Sequence, residues 1–203
     1  MDCISDVFCY KHKSYKNTDI IVNIIYYGVL FLPLVVGMSI GAIYRNKWQE
    51  DKYRNLIKPD FYPPGYLFSI VWPILYLIIG MIYSYSLYDI DCSPFGYSKC
   101  GKRQFFKNSK YWIIPILALI FNFSYTPVFF SKNGLLNGLI IIILSLFFAI
   151  LTLIQFIMQK DFSHTKYIWA ILALIPYIAW LSYASYLSYN IYILNDKKKD
   201  III

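Results

Sequence analysis

Charge is scarce in this chain: only 15% of its 203 residues are Asp, Glu, Lys or Arg, against about a quarter in an ordinary soluble domain. It is missing altogether from the interiors of five long apolar runs, at residues 20–44, 66–88, 111–130, 135–158 and 167–194. Charges at membrane depth are costly and mark ion pathways and proton relays, so their absence argues against an ion-coupled pump. Histidine is rarer still. His12 stands in the N-terminal tail and His164 between the last two runs, where it reads as a solvated loop residue. No carboxylate pair, nucleophile–base pair or metal-ligand cluster lies within the runs, so no metal site and no required cofactor are expected. The net charge is +8, but the basic residues fall in short flanks between apolar runs; they form no stripe, which excludes a nucleic-acid surface.

What is present is length and greasiness. Each run has the roughly 20 residues that carry a helix across a hydrocarbon core about 30 Å thick. Backbone groups in lipid must pair within their own segment, so the runs are helices. A β-barrel would show alternating segments of about ten residues, and none occurs. The expected fold is an all-α membrane protein, a five-transmembrane-helix bundle over residues 20–195. A polar extension precedes it at 1–19 and a basic tail follows at 196–203, with Lys197, Lys198 and Lys199 as a solvated flank. Met1–Asp19 has no short apolar core ending in a small-residue cleavage site, so it does not read as a removable signal peptide. Tyr44, Trp48, Tyr66, Tyr88, Tyr111, Trp112, Tyr167 and Trp169 crowd the span ends as an interfacial belt. The flanks do not orient the bundle: ten Lys and Arg lie on one side and nine on the other.

The four cysteines, Cys3, Cys9, Cys92 and Cys100, lie outside the spans. Cys92 and Cys100 bracket a Gly- and Pro-containing loop; they are free thiols in a reducing compartment or a closed pair in an oxidising one. Asn122-Phe-Ser124 matches a glycosylation pattern but lies mid-span, out of reach.

Inside the spans, rings and small residues follow helical spacing. Phe68, Trp72 and Tyr76 recur every four residues in the second span, as do Trp180 and Ala184, followed by Leu187, in the fifth. Asn122, Tyr125 and Phe129 share a stripe around Pro127 in the third. Gly37 and Gly41 make a small-xxx-small pair in the first, suited to close helix packing. Each stripe taken alone is also what plain core packing would produce. Between the first two spans, Lys58-Pro59-Asp60-Phe61-Tyr62-Pro63-Pro64-Gly65 is held extended by three prolines. It reads as a stiff lid or wall built on Pro59, Phe61, Pro63 and Pro64, or as a simple helix-start signal.

These blocks resemble the signature of the translocator protein family, also called tryptophan-rich sensory proteins (TspO/MBR) or peripheral-type benzodiazepine receptors. The resemblance rests on Lys58-Pro59-x-Phe61-x-Pro63-Pro64-x-Tyr66-x-Phe68-x-x-Val71-Trp72-x-x-Leu75-Tyr76, on Asn122-Phe123-Ser124-Tyr125-x-Pro127-Val128-Phe129-Phe130, and on Pro176-Tyr177-x-Ala179-Trp180-x-x-x-Ala184-x-x-Leu187. With Gly37 and Gly41 it runs in order from about Gly37 to Asn195. It implies a multi-pass integral membrane protein, often a homodimer, in the mitochondrial outer membrane or another membrane that the sequence does not specify. It also implies a cavity lined by Trp72, Tyr76, Asn122, Tyr125, Trp180, Ala184 and Leu187 that takes porphyrin or haem, or cholesterol and related lipids, for transport or sensing. Family members that degrade porphyrin in light do so through two tryptophans, which correspond to Trp72 and Trp180. That enzyme is one alternative; a structural membrane protein with a vestigial cavity is another. The chain departs from the family where Phe61, Tyr66, Phe123, Tyr125 and Tyr192 replace tryptophans, and at Asn137 and Ile141 in the fourth span. The family's sterol motif is degraded, since Leu187-x-Tyr189 has no nearby Lys or Arg and only the looser Leu187…Tyr192…Lys197 frame fits.

Overall fold

In the computed structural model the described residues are 16–86, 88–89, 104–105, 110–158 and 164–196. They form α1 (Lys16–Tyr44), a 3-10 turn (Arg45–Gln49), α2 (Asp51–Arg54), α3 (Gly65–Ser86), α4 (Lys110–Phe129), α5 (Gly134–Met158) and α6 (His164–Asp196). Two-residue strands β1 (Tyr88–Asp89) and β2 (Gln104–Phe105) pair antiparallel, Tyr88 opposite Phe105. α1, α3, α4, α5 and α6 are each long and apolar enough to cross a membrane. The fold is the expected five-helix transmembrane bundle.

Two boundaries differ from the sequence reading. α1 begins at Lys16, inside the polar extension, and α6 begins at His164, ahead of the apolar run. Polar residues can continue a helix beyond the hydrocarbon, because water supplies what lipid does not. The cysteines, His12 and the Lys197–Lys199 tail lie outside the described residues.

The main contacts close a ring: α1 packs on α3, α3 on α6, α6 on α5, α5 on α4, and α4 back on α1. At its centre Ile79, Ile142, Phe156, Leu174, Tyr177 and Leu181 are buried. Chains of Ile, Leu and Phe point outward, among them Ile113, Ile116 and Ile120 on α4 and Ile140, Ile143 and Phe147 on α5. For a helix in lipid that outward surface is the solvated one. Pro33, Pro73, Pro115, Pro127 and Pro176 all lie inside helices, where neighbouring helices and local adjustment re-satisfy the freed carbonyls. Several hydroxyls bond back to their own helix, as Ser39 does to the Val35 carbonyl at 2.7 Å and Thr152 to that of Phe148 at 2.8 Å.

Two glycines set how closely α1 and α3 approach. A Cβ on Gly80 would collide with the Leu30 carbonyl of α1, and one on Gly37 with the Tyr76 ring of α3. Gly41, expected to share the packing role, has nothing within 4 Å of where its Cβ would be. The close α1–α3 approach is therefore made by Gly37 with Gly80.

Candidate functional site

The aromatic stripes of α3 and α6 meet. Trp72 stacks on Tyr76, ring centroids 5.4 Å apart, and stands edge-on to Trp180 at 6.4 Å. Trp180 in turn touches Phe68 at 5.7 Å and Tyr183 at 5.8 Å. The two indoles come from different helices, so only the i, i+4 half of this arrangement could be read along the chain.

Below the indoles, two side-chain hydrogen bonds cross the interior. The Tyr76 hydroxyl of α3 donates to Asn122 Oδ1 of α4 at 2.9 Å. The Tyr125 hydroxyl of α4 and the Ser188 hydroxyl of α6 lie 2.9 Å apart and share a hydrogen bond. Ser188 carried no sequence signal, because a serine in an apolar run has no periodicity of its own. Among the described residues five buried side-chain polar atoms have no hydrogen-bond partner, and two of them belong to this group of residues: Asn122 Nδ2 and Trp180 Nε1. A buried unpaired donor costs about 1–3 kcal/mol. Ala184 and Leu187 are buried on α6 close to this wall, Ala184 within the same core cluster as Tyr76.

The proline loop lies over this end of the bundle and is tied down through its backbone. The Asn195 side chain meets Ile57 at both ends: Oδ1 accepts the Ile57 N–H at 2.9 Å, and Nδ2 donates to the Ile57 carbonyl at 3.0 Å. The Tyr183 hydroxyl donates to the Phe61 carbonyl at 2.6 Å. Pro59 and Pro63 are half-buried, Pro64 is exposed, and the Phe61 ring is 77% exposed, so Phe61 contributes its carbonyl and not its ring. The ring that turns inward is that of Tyr62, against Phe68 at 5.8 Å, with Lys58 Nζ 5.1 Å from its centroid. Burial pushes the Tyr62 phenol up from its ordinary pKa, so it stays a neutral donor across the physiological range. Replacing Asn195 with alanine removes both loop bonds, at about 1–3 kcal/mol together. Limited proteolysis should then cut the loop at residues 57–62 several-fold faster; an unchanged rate would show that the clasp holds nothing.

The indoles pack ring on ring, and none of the expected lining residues faces either of two cavities nearer the membrane surface. One, of about 440 Å3, lies between α2, the α4–α5 turn and the end of α6, with Tyr53, Phe129 and Tyr192 among its walls. The other, of about 80 Å3, lies under the proline loop between Trp48, Lys58, Tyr62 and Ile191. They share Tyr53, Leu56 and Phe129, and Asn195 of the loop clasp stands in the wall of the larger. Its aromatic floor escaped the sequence reading, since Tyr53 sits in a four-residue helix with no repeat to mark it.

Five apolar helices closed around an indole pair and two interior polar bonds define an integral, multi-pass membrane protein. Residues 29–194 match the TspO/MBR family, and the chain belongs to that family. It is 31% identical over 162 residues to Tryptophan-rich protein TspO of Archaeoglobus fulgidus, covering 80% of this chain and 91% of that one. It is 29% identical over 157 residues to Tryptophan-rich protein TspO of Chlorobaculum tepidum, covering 73% and 85%. Against Protein CrtK of Rhodobacter capsulatus it is 24% identical over 119 residues, 58% of this chain and 64% of the relative.

Proposed function

We propose that this protein binds a flat, largely apolar ligand of the tetrapyrrole or sterol type between α3, α4 and α6, and carries or senses it in the membrane. The observation that carries the reading is the indole pair with two unpartnered buried donors beside it, Asn122 Nδ2 and Trp180 Nε1. An indole face stacks on a macrocycle, and the two donors match the carboxylate of a porphyrin or the hydroxyl oxygen of a sterol. A ligand enters by parting Trp72 from Trp180, with the loop clasped by Asn195 and Tyr183 as its cover. Titrating purified protein with protoporphyrin IX should quench tryptophan fluorescence saturably, and the Trp72→Phe, Trp180→Phe double variant should lose most of that quenching. No saturable quenching in the parent protein contradicts the proposal.

Light-driven breakdown of the same ligand is a second reading, favoured by the 6.4 Å contact between two oxidisable indoles. Illuminated protein should then bleach bound porphyrin, and an absorption spectrum that stays constant eliminates it.

A further inference from the structure

The 440 Å3 cavity carries chemistry that the indole site does not use. Its walls are the rings of Tyr53, Phe129 and Tyr192, and its rims carry opposite charges, Lys132 in the α4–α5 turn and Asp196 at the end of α6. Tyr53 and Phe129 are 7% and 3% exposed, so their rings are held in place, whereas Lys132 and Asp196 are exposed and make no ion pair among the described residues. The Asp196 carboxylate lies beside the Tyr192 hydroxyl, so negative charge and the half-buried Tyr192 ring are presented together, whereas the Phe129 ring is stacked on Trp48 and Tyr125.

Position narrows the ligand. Lys132 lies two residues before α5 enters the membrane, and Asp196 is the last residue of α6, so the mouth is level with lipid head groups. Leu135 and Leu136 form part of the lining, and Leu136 is also 42% exposed on the outer face of α5. A molecule in the cavity therefore has an apolar path down the outside of the bundle. The volume falls within the roughly 300–1,000 Å3 usual for small-molecule sites.

We infer that this cavity binds the zwitterionic phosphate–ammonium head group of a phospholipid. Lys132 takes the phosphate as a point charge, and the Tyr192 ring with Asp196 takes the ammonium through cation–π and ionic attraction, with Tyr53 and Phe129 as the apolar floor. The acyl chains run down the α5 surface past Leu136. An anionic lipid without an ammonium group is repelled by Asp196, and an uncharged sterol leaves both rim charges without partners.

The test uses delipidated full-length protein in an uncharged maltoside detergent, with thermal unfolding as readout, since a ligand bound to the native state alone raises Tm. Dihexanoyl phosphatidylcholine should raise Tm saturably, and dihexanoyl phosphatidylglycerol should do so weakly or not at all. Asp196→Asn and, separately, Lys132→Gln should each raise the half-saturating concentration about tenfold, equivalent to about 1.4 kcal/mol. Glycerophosphocholine separates the sources: an equal shift assigns the same site to a soluble zwitterion, and a shift with the lipid alone assigns it to the membrane. Equal stabilisation by the two lipids, no stabilisation by phosphatidylcholine, or half-saturation unchanged in both variants would overturn the inference. The Asp196→Asn protein should retain porphyrin quenching, so failure here is distinguishable from failure of the indole site.

Discussion

Replacing Gly80 with leucine should lower the melting temperature of the bundle by about 10 °C. The reason is backbone, not side chain. At Gly80 any Cβ would collide with the Leu30 carbonyl of α1, and a carbonyl held in a helix cannot swing aside as a side chain can. Accommodating leucine means moving α1 away from α3, which forfeits contacts along both helices. Overpacking of this kind costs about 3 kcal/mol, and in a chain of this size each kcal/mol shifts Tm by about 2–4 °C. Gly41→Leu is the control: that position is open and exposed, so the same substitution should change Tm by a degree or less. Gly37→Leu should fall between them, because it meets the Tyr76 ring, and that ring is restrained through its bond to Asn122. Circular dichroism of the detergent-solubilised proteins measures all three. Equal melting of the Gly80 and Gly41 variants would mean that the helix approach is not what glycine secures.

The second large effect lies in the interior hydrogen bond between α3 and α4. Asn122→Leu removes the acceptor of the Tyr76 hydroxyl, 2.9 Å away, and strands a phenol that is 9% exposed. That should cost about 2–3 kcal/mol, because the stranded group keeps its full desolvation penalty. Tyr76→Phe should cost a similar amount, about 2–3 kcal/mol, since it strands the Asn122 amide, which is 4% exposed and whose Nδ2 already lacks a partner. The double variant should be more stable than the sum of the single losses by about 1 kcal/mol, as expected for two groups in direct contact. Strictly additive losses would show that the bond contributes no net stability. The same Asn122→Leu protein should bind protoporphyrin less tightly, because an unpaired donor beside the indoles is gone, whereas Tyr76→Phe leaves that donor in place.

Much of the fold was legible because lipid imposes a simple rule. Five charge-free runs of about the right length had to be helices, and their middles fell where expected. Their ends did not: Lys16–Asp19 and His164–Lys166 are helical although polar. Past the hydrocarbon edge hydropathy no longer distinguishes helix from loop. Within a helix, the i, i+4 spacing correctly placed Phe68, Trp72 and Tyr76 on one stripe. Contacts between helices were hidden. Nothing along the chain connects Gly80 to Leu30, Tyr125 to Ser188, or Asn195 to Ile57 across 138 residues. The proline loop shows the same division. Its stiffness was readable from Pro59, Pro63 and Pro64. Which ring turns inward was not, because the segment expected to be extended closes a turn at Asp60–Phe61, with the Tyr62 N–H donating to the Pro59 carbonyl at 3.0 Å, and the packing of Phe68 and Tyr183 then settles Tyr62 inward and Phe61 outward. Gly41 marks the converse error. It shares the spacing of Gly37 but faces open space, so a small-xxx-small pattern names a face without saying which of its members is used.

The indole pair as the ligand's seat is tested most directly by fluorine NMR of protein labelled with 5-fluorotryptophan, which resolves each of the five tryptophans. Titration with protoporphyrin IX should shift or broaden the Trp72 and Trp180 resonances together and saturably, with those of Trp48, Trp112 and Trp169 little changed. Perturbation of Trp48 or Trp112 with Trp72 and Trp180 unmoved would place the ligand elsewhere and contradict the account.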